Sequence, residues 1–140
     1  MIVMKKKNIL FFMITLFLIL SVGGIFMPFR FNKTNVSTIY DGKVVFKYDE
    51  TNITKKLSNK DLNIIKNIFD NKKLYKDSPS CGFSDNIAVV LDGTQVFCIA
   101  CDECPIIYYK NEELFFKLSN RENDLLRNTL TQYGFRFPCV

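Results

Sequence analysis

The sequence contains no histidine and no tryptophan among its 140 residues. Without histidine, neither a Ser-His nor a Cys-His catalytic relay can be built. A structural metal site would have to use cysteine ligands without histidine. A Gly-rich phosphate-binding loop is missing as well. The carboxylates fall in helix caps, turns and exposed positions, so we predict no catalytic residues and no cofactor.

A basic stripe is also missing. The formal net charge is +5, but Lys5, Lys6 and Lys7 precede the first apolar run and Arg30 follows it. The remaining charges of both signs are interspersed. Since nucleic-acid-binding domains carry clustered basic residues, we predict no nucleic-acid partner.

One long apolar run, Ile9–Met27, occupies the N-terminus and has Leu16 and Leu20 near its middle. It contains 19 residues without a charge. As a helix it would span about 28 Å at 1.5 Å per residue, close to the roughly 30 Å of a bilayer core. Lysines before such a run stay in the cytoplasm, so the rest of the chain is predicted to be exported.

The apolar run fits two kinds of segment. A signal peptide would be cleaved after small residues, as at Ser21-Val22-Gly23, whereas an uncleaved anchor would keep the whole run as an apolar helix. Both give an extracytoplasmic location, secreted or membrane-anchored. We divide the chain into a signal peptide or membrane anchor (1–27), a tether (28–42) and a disulfide-stapled α+β domain (43–140).

The third of these segments shows both strand and helix patterns. Lys43–Tyr48 alternates apolar and polar residues, as a strand does, and Ser58 and Ser119 each open a capping box. The two helices should end near Asn71 and Gly134. Four further strands are predicted at Ile87–Leu91, Gln95–Ile99, Ile106–Lys110 and Leu114–Leu118. We expect an α+β fold, a small antiparallel sheet of about five strands in the order β-α-β-β-β-β-α, with two amphipathic helices on one face.

A short repeat accompanies the predicted helices. Lys56-Leu-Ser-Asn59 recurs as Lys117-Leu-Ser-Asn120, 61 residues later. A duplicated strand–helix unit would explain the repeat, and so would two helices that obey the same capping rules.

All five cysteines lie in the last 60 residues. They are Cys81, the run Cys98-x-x-Cys101-x-x-Cys104, and Cys139. Outside the cytoplasm cysteines form disulfides, whereas inside it they bind metal or carry out redox chemistry. The predicted export therefore favours disulfides.

The predicted hairpin suggests one disulfide. A two-residue turn at Asp92-Gly93 places Ile87 opposite Cys98. Extended outward, the same register places Cys81 opposite Cys104, close to disulfide geometry.

The extended C-terminal tail suggests the second disulfide. Phe135, Phe137 and Cys139 are alternate residues, so their side chains point to the same side of an extended chain. We expect all three to point inward. We therefore pair Cys101 with Cys139. Cys98 is then a free thiol that behaves as a small hydrophobic residue.

Two other uses of the cysteines stay open. Cys98, Cys101, Cys104 and Cys81 would together form a metal site of thiolates, although a second C-x-x-C pair is missing. A redox dithiol is the other use, but reactive pairs need a lowered thiol pKa and the acidic residues between Cys101 and Cys104 would raise it. The alternative function is thus an extracytoplasmic thiol–disulfide or metal-handling protein.

Three motifs resemble those of a known group of proteins. Ser80-Cys-Gly-Phe83, Ala100-Cys-Asp-x-Cys-Pro105 and Tyr133-Gly-x-x-Phe-Pro-Cys139 are similar to motifs of small exported proteins of unknown function in low-GC Gram-positive bacteria. The resemblance spans roughly Leu57 to Val140. It implies export and a cysteine-stapled α+β domain, and it implies no activity.

The function that these features predict is a non-enzymatic binding or structural module, exported or membrane-anchored. Its partner would be an unknown protein outside the cytoplasm, and its N-terminal segment would contact the membrane. One such module is an inhibitor or immunity-like protein that docks its partner through the face of its sheet.

Overall fold

The computed structural model describes residues 32–102 and 104–138. In this part of the chain, a six-stranded antiparallel sheet carries two helices, which confirms the α+β class. The strands are β1 (Gly42–Tyr48), β2 (Thr51–Lys56), β3 (Ile87–Leu91), β4 (Gln95–Ile99), β5 (Ile106–Tyr109) and β6 (Leu114–Lys117), and the helices are α1 (Asn59–Phe69) and α2 (Asn120–Thr131). Their order across the sheet is β2-β1-β3-β4-β5-β6.

The predicted membrane segment Ile9–Met27 lies outside the described residues, so the signal peptide or anchor stays a prediction. Within residues 32–102 and 104–138, neither helix has the length and apolar character needed to cross a bilayer. Residues 32–41, part of the predicted tether, pack against α1. Val36 and Ile39 are buried there, and the Thr34 N–H donates to the Lys72 carbonyl at 3.0 Å.

Strand β2 is the element that the sequence analysis missed. Only Thr51 and Ile53 are even half-buried in it, so its apolar pattern is weak. It follows β1 after a tight turn in which Asp49 has a φ of 52°. An edge strand needs a partner on one side only and is commonly polar and lysine-bearing. The sheet therefore has six strands where about five were expected.

The central hairpin differs from the predicted register by one residue. Ala88, not Ile87, pairs with Cys98, and Leu91 pairs with Gln95. Three residues therefore separate the paired positions, where a two-residue turn was expected. A shift of one residue moves a side chain to the other face of a sheet, so Cys98 shares its face with Ala88.

Both helices bury their apolar stripes against the same sheet face. Their buried side chains form one cluster with alternate residues of the strands, as amphipathic helices on a sheet do. Aromatic rings fill the middle of this core. Phe69 lies 4.9 Å from Phe97 and 5.5 Å from Phe116, and Phe46 lies 4.7 Å from Phe135, between ring centroids.

Serine caps begin both helices, as predicted, but only α2 has the complete capping box that was expected at both. At α2, the Ser119 hydroxyl accepts from the Glu122 N–H, and the Glu122 carboxylate accepts from the Ser119 N–H. At α1, the Ser58 hydroxyl accepts from the Asp61 N–H at 3.1 Å. The Ser58 N–H instead donates to the Tyr133 hydroxyl at 2.9 Å, and this hydroxyl donates to the Asp61 carboxylate at 2.7 Å. A residue after α2 thus completes the cap of α1.

The two ends of the sheet are built alike. β1-β2-α1 and β5-β6-α2 are each a hairpin followed by a helix, and β2 and β6 are the two edge strands. The 61-residue offset places Leu57 on Leu118 and Ile65 on Leu126, and all four side chains are buried. The repeat is therefore a hairpin–helix unit that occurs once at each edge, which favours duplication as its explanation.

Candidate functional site

The segment between α1 and β3 crosses to the second face of the sheet, the face opposite the helices. Tyr75 forms an antiparallel bridge with Phe115 at the β6 edge, with both N–H···O distances at 2.9 Å. Phe83 then packs on the rings of Tyr108 and Phe115, at 6.0 and 5.6 Å between centroids. Residues 72–86, here named the covering segment, therefore shield the β5–β6 part of the second face.

A disulfide fastens the covering segment. Cys81 is bonded to Cys104, with Cα atoms 6.4 Å apart across 23 residues of chain, so the predicted bridge is present. The bridge does not arise from the hairpin register that was used to predict it, because β3 begins only at Ile87 and β4 already ends at Ile99. Both cysteines lie in loops beyond the paired strands.

The two cysteines of the C-x-x-C motif belong to separate bridges. Cys101 is disulfide-bonded, and it is not bonded to Cys104, whose sulfur is bonded to Cys81. The predicted partner of Cys101, Cys139, lies outside the described residues. A redox dithiol closes its disulfide between its own two cysteines, so this arrangement is typical of structural bridges.

Cys98 is a free, buried thiol on the second face, where Ala88 and Tyr108 are its neighbours across the strands. Burial raises its pKa to about 11, and the negative charge of Asp85 acts in the same direction. Since the thiolate is the nucleophile and the metal ligand, the raised pKa keeps Cys98 in its less reactive neutral form near neutral pH.

The predicted metal ligands are not brought together as free thiolates. Among residues 32–102 and 104–138, ligand atoms of Cys81, Asp102 and Cys104 lie within 4.8 Å of one another. The sulfurs of Cys81 and Cys104 are bonded to each other in a disulfide, whereas metal binding requires thiolates. Cys98 and Cys101, the other two predicted ligands, are outside this group.

A groove of about 320 Å³ lies between α2 and the chain that follows it. It is lined by Asn120, Asn123, Asp124, Arg127, Phe137 and Pro138. The four residues on α2 are spaced i, i+3, i+4 and i+7, which places them on one side of the helix. No sequence motif marks this site, although a polar stripe at helical spacing was a visible signal of it.

Arg127 organises the groove. Its guanidinium lies 4.5 Å from the centre of the Phe137 ring, within the range of a cation–π contact. One terminal nitrogen donates to the Asp102 carbonyl, and Nε donates to Asn123 Oδ1 at 3.4 Å. The groove is thus tied to the loop that carries Cys101 and Cys104.

The second face of the sheet is open over β1 and β2. Lys43, Lys47 and Lys56 are exposed there, and the half-buried Val45 lies among them. Lys56 pairs with Asp41 at 2.8 Å. Neither of the other two lysines is within salt-bridge distance of a carboxylate in the described part of the chain. Lys43, Val45, Lys47 and Lys56 are here named the lysine face.

The chain matches no protein-family model, no curated protein and no solved structure. Its function therefore has to be inferred from the chemistry of these residues.

Proposed function

We propose that the chain is an exported or membrane-anchored, non-enzymatic binding module that meets a protein partner outside the cytoplasm. The use of the cysteines carries this proposal. Cys104 is bonded to Cys81, Cys101 belongs to another bridge, and the thiol of Cys98 is buried. Disulfides of this kind form and persist in oxidising compartments, in agreement with the predicted N-terminal export segment and with the resemblance to small exported proteins.

The partner docks on the lysine face. The covering segment occupies the β5–β6 part of the second face through Phe83, which leaves β1 and β2 free. Lys43 and Lys47 flank the half-buried Val45 along β1, so the surface combines positive charge with an apolar centre. Charge complementarity across an interface fixes orientation and speeds association, and the partner surface is therefore acidic.

The first experiment locates the chain and counts its thiols. The full-length chain is expressed in a bacterium, the cells are fractionated, and the intact mass is measured after alkylation under non-reducing, denaturing conditions. We expect the chain outside the cytoplasm, with four hydrogens lost to two disulfides and one thiol alkylated, that of Cys98. Five alkylated thiols, or a native mass increased by zinc, would contradict the proposal and favour metal handling.

The second experiment tests the docking surface. A photo-crosslinking amino acid at Thr54, exposed on β2, should capture one partner, and the same probe at Asn128, exposed on α2, should not. The double change Lys43→Glu and Lys47→Glu should abolish the crosslink. Lys60→Glu with Lys76→Glu is the control, because it makes the same charge change at two exposed lysines elsewhere. Equal capture in both double variants would rule out the lysine face.

A further inference from the structure

Asn123 is a buried polar residue whose hydrogen-bonding capacity the fold uses only in part. It is 9% exposed, and its Oδ1 accepts only the 3.4 Å bond from Arg127. Its Nδ2 donates to none of the described residues and is reached by solvent, and Asn123 is one of the residues that line the groove. A largely buried amide that keeps a solvent-accessible donor beside a groove can bind a ligand there.

The repeat shows that the fold itself does not require asparagine at this position. At the 61-residue offset, the counterpart of Asn123 is Leu62, which is 5% exposed and belongs to the core of α1. An apolar side chain therefore suits this position of the hairpin–helix unit. Burying an amide in its place reduces stability, and residues that weaken the fold are typical of binding sites.

The lining of the groove indicates the class of ligand. Among the described lining residues, two amides, a carboxylate and a guanidinium offer both donors and acceptors, and Asp124 and Arg127 carry opposite charges. Phe137 and Pro138 together form an apolar wall of the groove. A volume of about 320 Å³ is at the small end of ligand sites. Neighbouring hydroxyl groups above an apolar face of C–H groups match this lining, whereas an anion or a purely apolar molecule does not.

We propose that this groove binds one neutral saccharide unit. Asn123 Nδ2 donates to a sugar oxygen, Asp124 accepts from neighbouring hydroxyl groups, and Pro138 packs against the C–H face of the ring. Arg127 is a positioning residue, because the Asp102 carbonyl and the Phe137 ring hold its guanidinium in place. The site shares no residue with the lysine face, so it adds a second binding function to the proposed one.

The test is a titration of the full-length chain, purified in a detergent without a sugar headgroup, with cellotriose and with tri-N-acetylchitotriose. We expect saturable binding of at least one of them by calorimetry below about 10 mM, the weak range in which a single small site binds. Asp124→Ala and Asn123→Leu should each weaken binding by about fivefold or more, the effect of losing one good hydrogen bond. Asn123→Leu should keep or raise the melting temperature.

The double variant Lys43→Glu with Lys47→Glu is the matched control and should bind the saccharide as the wild type does. The partner crosslink tests the lysine face, and the titration tests the groove. Failure of one proposal therefore leaves the other measurable. Asp124 is exposed, so Asp124→Ala decides the question even where Asn123→Leu does not fold. Absence of saturable binding of both saccharides, or unchanged affinity in Asp124→Ala, would overturn the proposal.

Discussion

Cys98 illustrates at the scale of one residue how the environment changes the chemistry of a side chain. Its folded pKa of about 11 exceeds the unfolded value of 9.0. A raised pKa contributes stability that is fully present below about pH 9 and is lost as the pH rises through about 11. The neutral thiol therefore stabilises the fold at physiological pH, and the thiolate does not.

We predict that Cys98 resists iodoacetamide in the folded protein at about pH 8 and reacts fully after denaturation. The free energy of unfolding should fall between about pH 9 and pH 11 more steeply in the wild type than in Cys98→Ala. Denaturant titrations across this pH range measure the difference. Identical slopes, or rapid alkylation of the folded protein, would refute the assignment.

Gly134 is a second residue whose identity the structure explains. Its φ is 101°, and a Cβ there would lie 2.6 Å from Ile53 Cδ1 on β2. We predict that Gly134→Ala destabilises the protein by about 1–3 kcal/mol through backbone strain and this clash.

Gly82 is the matched control for Gly134, because a Cβ there meets nothing within 4 Å. Gly82→Ala should change stability by less than about 1 kcal/mol. Thermal unfolding of the two variants compares them directly. Equal losses would show that neither the backbone conformation nor Ile53 determines the effect at Gly134.

At the scale of elements, the α1 cap depends on a residue that follows α2. The Tyr133 hydroxyl accepts from the Ser58 N–H and donates to Asp61. The pKa of Asp61 lies below its usual value because the Ser58 hydroxyl, and after it the Tyr133 hydroxyl, donates to its carboxylate. A lowered pKa contributes stability above the unfolded value near 3.8 and loses it as the pH falls through the folded pKa.

We predict that Tyr133→Phe costs about 1–2 kcal/mol at neutral pH, since two hydrogen bonds are lost. The pKa of Asp61 should rise, and the difference in stability should shrink in acid as Asp61 becomes protonated. NMR titration and urea unfolding measure the two effects. Tyr40→Phe is the control, because that ring is 87% exposed and its hydroxyl bonds to none of the described residues. A comparable loss in the control would refute the role of Tyr133.

At the scale of the whole molecule, the Cys81–Cys104 bridge attaches the covering segment to the sheet. The bridge closes 23 residues of chain, and a loop of this length corresponds to about 3 kcal/mol in the loop-entropy account. We predict that Cys81→Ala with Cys104→Ala loses about this much stability and exposes Cys98 to alkylation.

Asp85→Asn is the comparison for the disulfide variant. It breaks the exposed ion pair with Lys110 across the same face, and exposed pairs contribute little to stability. It also removes a charge that raises the pKa of Cys98, but it leaves the covering segment bonded to Cys104. Chemical denaturation and alkylation kinetics on both variants separate the two contributions. An unchanged alkylation rate in the disulfide variant would mean that the covering segment stays in place without its bridge.

Prediction from the sequence succeeded where the signal is local. The strands at Ile87–Leu91 and Gln95–Ile99 and the serine caps of both helices depend on neighbouring residues. Prediction failed at β2, because an edge strand needs little apolar character. It also failed at the turn between β3 and β4, where one additional residue moved the Cys98 side chain to the other face of the sheet. The groove was missed because its wall combines α2 with Phe137 and Pro138, and no local pattern reveals that contact.

The sequence by itself determined the class of fold, the helix starts and the supply of cysteines, since propensity, capping and alternation act over a few residues. Only the tertiary structure decided how the loops bring Cys104 to Cys81, that Cys98 lies on the second face, and that Asn123 lines a groove. Each of these outcomes depends on distances between residues far apart in the chain. Strand register and packing set those distances, and a one-residue shift changes them without changing any local pattern.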